Sequence, residues 1–238
     1  MKTIIPVALL ALVFLNTPTE GTDVPQLQYT YDAPKLVNLT EKAAKLIKDI
    51  VGSRTLKNFS FTDGDRLSYE HAVTSKVSPL SYGTGCEDTS PFQNSKCKEM
   101  FNWQIDNGIV TPLDLLVNVT VSVVSKGEPE TLLLNLNGAP NITWTPNAGD
   151  QKDAAVRTAI VKQECKFSAL TTFTGYIYYE ADTRYSRGDV SGKDAVGIIY
   201  LENKQEGLVK LGDSLLYNVT GTFRRQLICA SEDVTRDQ

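Results

Sequence analysis

Residues 113–123 read LDLLVNVTVSV, with an apolar residue at every odd position and a polar residue at most even positions. After the turn residues KGEP at 126–129, the pattern returns as TLLLNLN at 131–137. A period of two is that of a β-strand with one buried and one exposed face. The stretches predict a long amphipathic hairpin, either alone or followed by a further strand at 141–145. Its apolar face would be formed by Leu115, Val117, Val119, Val121, Val123, Leu132 and Leu134.

The same period recurs elsewhere in the chain, for example at 171–179 and 215–223, with turn residues between the segments. Strands at this spacing, without intervening helices, indicate an antiparallel all-β arrangement. We therefore predict a mainly β protein, built as an elongated antiparallel sheet or sandwich.

One segment near the N-terminal end has helical spacing instead. Apolar residues over 39–51 follow Asn38, an N-cap with Glu41 three residues later, and Gly52 comes directly after them. This predicts a short amphipathic helix that packs on a sheet, the alternative being an element that contacts a membrane surface or a partner.

The chain divides into three predicted parts. Residues 1–21 combine an early lysine, an apolar run and small residues at its exit, which is the pattern of a signal peptide. The alternative, a membrane anchor, needs about 20 apolar residues. Residues 22–112 would hold the helix, several strands and a cysteine loop. Residues 113–238 would form a long antiparallel β region, either separate from the preceding part or continuous with it as one domain.

Four cysteines in a secreted chain predict two disulfides among Cys86, Cys97, Cys165 and Cys229. Three pairings are possible. We favour Cys86 with Cys97, which closes a turn-rich loop, and Cys165 with Cys229, which ties a central strand to the last one.

Five N-x-S/T sequons follow the predicted signal peptide and predict an extracellular glycoprotein. Their asparagines are Asn38, Asn58, Asn118, Asn141 and Asn218. Asn118 and Asn141 fall on polar faces of the alternating pattern, so the sequons and the strand period agree.

Charge and motifs argue against several functions. The formal net charge is −4 and no basic stripe is present, which disfavours nucleic-acid binding. His71, the only histidine, could serve as a general base, but it lies in a strand-like stretch and no nucleophile motif accompanies it. No CxxC pair, P-loop, dinucleotide fingerprint or HExxH occurs. We therefore expect no catalysis, no metal and no cofactor.

Tyr176 and Tyr178 would share one face of a strand. Such a pair can stack on a sugar or lie at a lipid interface, although more often it is part of sheet packing.

The alternating segments NVTVSV (118–123), NITWT (141–145), FTGY (173–176) and VTGTF (219–223) resemble those of the aerolysin-like β-pore-forming proteins. The similarity is to the epsilon-toxin and mosquitocidal-toxin type and to the spherulin-like secreted proteins. The resemblance implies long twisted sheets and an amphipathic hairpin, here 113–136, that inserts as a transmembrane β-barrel after homo-oligomerisation. The alternative from the residues alone is an ordinary sheet of a β-sandwich.

The resulting functional hypothesis is a secreted, extracellular aerolysin-like glycoprotein that acts at cell surfaces in defence, venom or host interaction. It would oligomerise and insert into a membrane. The alternative is a monomeric extracellular binding glycoprotein whose carbohydrate or lipid ligand contacts Tyr176 and Tyr178.

Overall fold

The computed structural model describes residues 33–63, 71–86, 98–123, 128–146, 157–185 and 188–230, all within one unit that spans 32–238. The predicted signal peptide and Cys97 lie outside the described residues. In chain order the elements are β1 (Lys35–Asn38), α1 (Leu39–Val51), β2 (Thr55–Ser60), β3 (Thr74–Val77), β4 (Ser81–Tyr82), β5 (Lys98–Val110), β6 (Leu116–Val123), β7 (Glu128–Asn135), β8 (Asn141–Trp144), β9 (Arg157–Thr174), β10 (Tyr176–Tyr185), β11 (Gly188–Gly197), the 3-10 helices η1 (Ile198–Leu201) and η2 (Lys204–Glu206), β12 (Val209–Leu211) and β13 (Ser214–Ala230).

The prediction of a mainly β protein with one short helix near its N-terminal end is confirmed. The main sheet has the order β1-β5-β13-β9-β3, with β8 on β5, β4 on β9 and β12 on β13. Its pairs are antiparallel except for β1 with β5, which is parallel. A second sheet has the order β11-β10-β2, and β6 pairs with β7 in a third.

The strand at 141–144 does not extend the hairpin. As β8 it pairs antiparallel with β5, from Phe101 opposite Trp144 to Gln104 opposite Asn141. Its local alternation is therefore that of a strand in the main sheet, and the hairpin consists of β6 and β7 alone.

Helix α1 begins and ends at the predicted residues. The Asn38 side-chain oxygen accepts hydrogen bonds from the backbone N–H groups of Thr40 (3.0 Å) and Glu41 (3.2 Å), as an N-cap does. The helix buries one stripe and contacts β2, β5, β10 and η1, so it packs on the sheets as predicted. The buried stripe consists of Leu39, Ala43, Ile47 and Val51.

An aromatic cluster covers one face of the main sheet. The ring centroid of Phe223 on β13 lies 5.3 Å from those of Trp103 and Tyr82 and 6.4 Å from that of Phe101. The Trp103 indole N–H donates to the Tyr82 hydroxyl at 3.1 Å, so the buried polar atom of this tryptophan is satisfied. Burial raises the pKa of Tyr82, and the hydrogen bond from Trp103 offsets part of that effect.

The favoured cysteine pairing is wrong. Cys86 is bonded to Cys165, with 5.5 Å between their Cα atoms. The physical reason is that β4 runs antiparallel along β9, with Tyr82 opposite Phe167, so the chain that follows β4 reaches Cys165. A partner far away in sequence is brought close by strand pairing, which the loop composition around Cys86 does not report.

We predict that the remaining cysteines, Cys97 and Cys229, pair with each other, because only one of the three possible pairings contains the observed bond. Their described neighbours, Lys98 and Ile228, are register partners on β5 and β13. Non-reducing peptide mapping should yield two linked peptides, 86 with 165 and 97 with 229. A peptide that links Cys97 to any other cysteine would contradict the prediction.

Gly175 joins β9 to β10 with a φ of 107°, a backbone conformation that residues with a side chain rarely adopt. A Cβ atom there would lie 2.5 Å from the carbonyl oxygen of Ala72 and 2.8 Å from that of His71. Both a positive φ and the close backbone therefore require glycine at this turn.

We expect Gly175→Ala to lower the free energy of unfolding by about 3 kcal/mol, because strain and overlap add. The matched control is Gly207→Ala, which has a φ of 84° and a nearest neighbour, Tyr217, at 3.5 Å. The free energy of unfolding of the control should fall by only about 1–2 kcal/mol, because alanine there must adopt a left-handed backbone conformation. Urea unfolding followed by tryptophan fluorescence measures both, and equal losses would show that the backbone contact is unimportant.

Candidate functional site

The β6–β7 hairpin is the candidate functional element, and its register defines two faces. Pairing runs from Leu116 opposite Asn135 to Val123 opposite Glu128. Directly opposed residues lie on the same side of a sheet. The inner face is formed by Val117, Val119, Val121, Val123, Leu132 and Leu134, and the outer face by Leu116, Asn118, Thr120, Ser122, Thr131 and Leu133.

The inner face is packed into the body of the protein. Its four valines and Leu134 are buried, Leu132 is half-buried, and Leu115, which precedes β6, is fully buried. The seven apolar residues predicted for the hairpin thus lie together on its covered side. The outer face is exposed, apart from backbone groups used in the ladder.

The inner face also carries charge near the turn, which the sequence pattern did not indicate. Glu130 lies opposite Val121 and Glu128 opposite Val123, so both carboxylates share the inner side. Glu130 is half-buried and Glu128 is exposed. The purely apolar part of β7 is therefore confined to the half that is remote from the turn.

The hairpin docks on the aromatic face of the main sheet. Val121 lines a cleft of about 180 Å³ together with Tyr82, Phe101 and Phe223. Among the described strands, neither β6 nor β7 pairs with a strand of another sheet. Side-chain packing, rather than a shared ladder, holds the strands of the hairpin to the body.

A buried ion pair lies on the same face of the main sheet. The Arg225 Nε donates to Glu99 Oε1 at 3.0 Å, and the Arg225 guanidinium carbon lies 6.0 Å from the Phe101 ring centroid. Arg225 also lines the cleft beneath the hairpin. A buried charge pair of this kind is costly to break by removing one partner, so it fixes β13 against β5 where the hairpin docks.

The base of the hairpin is held by two asparagines, which we call the asparagine clamp (Asn135 and Asn137). The Asn137 side chain donates to the carbonyl oxygens of Thr111 (2.7 Å) and Leu113 (3.0 Å) and accepts from Thr111 N–H (3.0 Å). The Asn135 side-chain oxygen accepts from the N–H groups of Leu115 (3.0 Å) and Asn137 (3.1 Å).

The clamp explains why β6 begins at Leu116 and not at 113. Side-chain amides replace the backbone partners that a longer ladder would use, and only Leu136 N–H continues the pairing, to the Leu115 carbonyl at 3.0 Å. In the sequence both asparagines read as members of a polar face. The sequence feature that could have indicated the clamp is their position at a strand end, where an Asn side chain can hydrogen-bond backbone groups in place of a ladder.

The sequon asparagines are placed as surface residues. Asn58, Asn118, Asn141 and Asn218 are exposed, and Asn38, the N-cap of α1, is half-buried. The sequence prediction that Asn118 and Asn141 lie on polar, outward sides of their strands is confirmed.

The two tyrosines do not form a surface pair. Tyr178 is only 7% exposed, so its prediction as a surface aromatic is wrong. Tyr178 lies on β10, the middle strand of its sheet, with Ala195 and Ser60 as its register partners. Tyr176 is half-buried, and its ring meets the exposed His71 edge to face at 6.3 Å.

Within the described ranges, no helix combines the length and the apolar character needed to cross a membrane.

We predict that Asn137→Ala lowers the free energy of unfolding by about 3 kcal/mol, since three hydrogen bonds at about 1 kcal/mol each are lost. The control is Asn107→Ala, which removes one exposed bond to Thr220 Oγ1 (2.8 Å) and should cost about 1 kcal/mol. Urea unfolding measures the losses, and hydrogen exchange should speed up in β6 and β7 only for the first variant. Unchanged exchange in the hairpin would refute the clamp.

Several solved structures are similar to this chain. A non-toxic crystal protein from Bacillus thuringiensis matches with a TM-score of 0.44 and 12% identity, over 82% of this chain and 94% of its own. The Cry23Aa1 and Cry37Aa1 binary protein complex matches with a TM-score of 0.41 and 9% identity, over 85% and 93%. The Mpp75Aa1.1 β-pore-forming protein from Brevibacillus laterosporus matches with a TM-score of 0.24 and 10% identity, over 74% and 66%.

No protein-family model matches the chain, and no curated protein matches it. The last of these three solved structures is named as a β-pore-forming protein, the class that the sequence resembles.

Proposed function

We propose that the protein is a secreted, N-glycosylated, non-enzymatic protein of the aerolysin-like type that acts at cell surfaces in defence, venom or host interaction. In this proposal, copies of the chain assemble on a membrane and insert the β6–β7 hairpin. The observation that carries it is that the hairpin has its own ladder while its apolar face is held against the main sheet by packing.

The hairpin is separable from the body. Leaving the main sheet requires breaking the packing of the inner face and the contacts at the base, but it preserves the register pairs between β6 and β7. A strand embedded in the main sheet, such as β13, would have to lose ladders on both sides. The segment that can move at the lowest cost in backbone hydrogen bonds is therefore the amphipathic one.

The inner face needs an apolar environment wherever the hairpin is. Removing a valine or leucine side chain from water stabilises by about 1.5–3 kcal/mol, so exposing the six apolar side chains is prohibitive. The body provides one such environment and the hydrocarbon core of a membrane provides the other. This favours direct transfer between the two over a free hairpin in water.

Oligomerisation follows from the strand edges. On the outer edges of β6 and β7, no described strand satisfies the backbone groups. In hydrocarbon each such group must be paired, which for strands requires closure with further strands. Neighbouring copies of the same hairpin supply those strands.

Insertion would lengthen the hairpin at its base. The strands β6 and β7 have eight residues each, and a membrane-spanning strand needs about 9–11. Residues 113–115 supply the difference on β6 when the asparagine clamp opens and backbone pairing replaces it. Glu128 and Glu130, at the turn end of β7, would lie at the aqueous boundary on the far side of the membrane.

The decisive experiment labels Thr131→Cys and Leu132→Cys, one at a time, with an environment-sensitive fluorophore. The two positions are adjacent in sequence but lie on opposite faces, so each variant is the matched control of the other. With vesicles that carry a quencher in the acyl chains, the label at 132 should shift to the blue and be quenched, and the label at 131 should not. Release of a trapped dye and SDS-resistant oligomers should appear together.

Two results would contradict the proposal. Dye release without quenching at either position would show that another segment inserts. Monomeric protein without dye release on several membrane types would exclude pore formation and favour the monomeric binding glycoprotein.

A further inference from the structure

Several leucines on strand faces of this protein are exposed to solvent and are not part of the core. Leu133 on β7 is 62% exposed, Leu116 on β6 is 46% exposed and Leu170 on β9 is 43% exposed. Exposed apolar side chains in a row on a sheet face are an association hazard, and soluble proteins usually cover or avoid them.

Two of these leucines are register partners of sequon asparagines. Leu133 lies directly opposite Asn118, and Leu170 lies directly opposite Asn218. Leu116 is two residues before Asn118 and therefore on the same face of β6. The register of β6 with β7 and of β13 with β9 therefore brings each asparagine beside an exposed leucine.

The two sites share one construction. Both sequons read Asn-Val-Thr within a strand, with the valine buried (Val119 and Val219) and the asparagine exposed on the opposite side. The other two exposed sequon asparagines differ, since Asn58 lies opposite Glu180 and Asn141 lies opposite Gln104.

We propose that the first N-acetylglucosamine of the N-glycans on Asn118 and Asn218 packs on Leu133 and Leu170, respectively, with Leu116 completing the platform at Asn118. This rests on the glycosylation included in the proposed function. Opposed Cβ atoms in an antiparallel pair are about 5 Å apart, so a sugar on the asparagine Nδ2 reaches the leucine methyl groups. The apolar C–H face of the sugar ring and its acetyl methyl group suit that contact.

In this proposal, the glycan on Asn118 covers the outer face of the hairpin. The inner face of β6 and β7 is covered by the main sheet, and the outer leucines are covered by the glycan of the same chain. The soluble protein then presents neither apolar side of the hairpin to a second copy before it meets a membrane.

The test compares wild-type protein from a glycosylating, secreting host with Asn118→Gln, Asn141→Gln and the double variant Asn118→Gln with Leu133→Thr. Each single variant removes one glycan. Of these two asparagines, Asn118 lies opposite a leucine and Asn141 lies opposite a glutamine. By sedimentation velocity, Asn118→Gln should raise the associated fraction roughly threefold or more, Asn141→Gln should match the wild type, and the double variant should return to it.

Trimming separates the first sugar from the rest of the glycan. An endoglycosidase that leaves one N-acetylglucosamine on the asparagine should keep the protein as monomeric as the untreated form. Nuclear Overhauser contacts should join the acetyl methyl group of that sugar to the Leu133 methyl groups.

The inference is overturned if Asn118→Gln associates no more than the wild type, if Asn141→Gln associates equally, or if the Leu133 methyl groups show no contact with the sugar. A secreted protein that carries no glycan on Asn118 also overturns it, and removes that part of the proposed function. Failure of dye release would affect the proposed function alone, because the packing of the glycan is measured on soluble protein.

Discussion

The ladder between β13 and β9 is the longest strand pairing among the described residues, and the main sheet extends outward from it. It runs from Ser214 opposite Thr174 to Ala230 opposite Arg157, and β13 pairs with β5 on its other edge. A strand paired on both edges has fixed faces, so Phe223 must point to one side and the neighbouring Arg224 to the other. The aromatic face that receives the hairpin exists because this register places Phe223 beside Trp103 of β5.

The body and the hairpin are held together by different forces. The body is made of ladders between strands far apart in sequence and of the Arg225–Glu99 pair, which lies in a region of low dielectric and resists separation. The hairpin closes its own ladder locally and adheres through apolar packing and the asparagine clamp. Apolar packing is non-directional, so another apolar surface can replace it, whereas a ladder cannot be exchanged without an intermediate of high energy. In the proposed function, this difference is what allows the hairpin, and not a strand of the main sheet, to be transferred to a membrane.

The two faces of the hairpin differ in solvent exposure, since the inner face is buried and the outer face is exposed. The inner valines and leucines follow the period of two that the chain shows at 113–123, and they are covered by protein. The outer side mixes threonines with Leu116 and Leu133 around Asn118. In our proposal, a glycan on Asn118 lies over these leucines. In that proposal, the main sheet covers the apolar side chains on the inner face of the hairpin, and a sugar covers those on the outer face.

Local features of the fold could be predicted from the chain alone. Alternation at 113–123 selected the residues of the buried face, and Asn38 and Gly52 selected the ends of α1, because period and capping depend on neighbours in the chain. Which distant elements meet became visible only in the folded structure. That structure placed β8 on β5, joined Cys86 to Cys165, buried Tyr178 in the middle of a sheet and set Leu133 opposite Asn118. Register between strands depends on the packing of both partners at once, and no local pattern in either strand contains it.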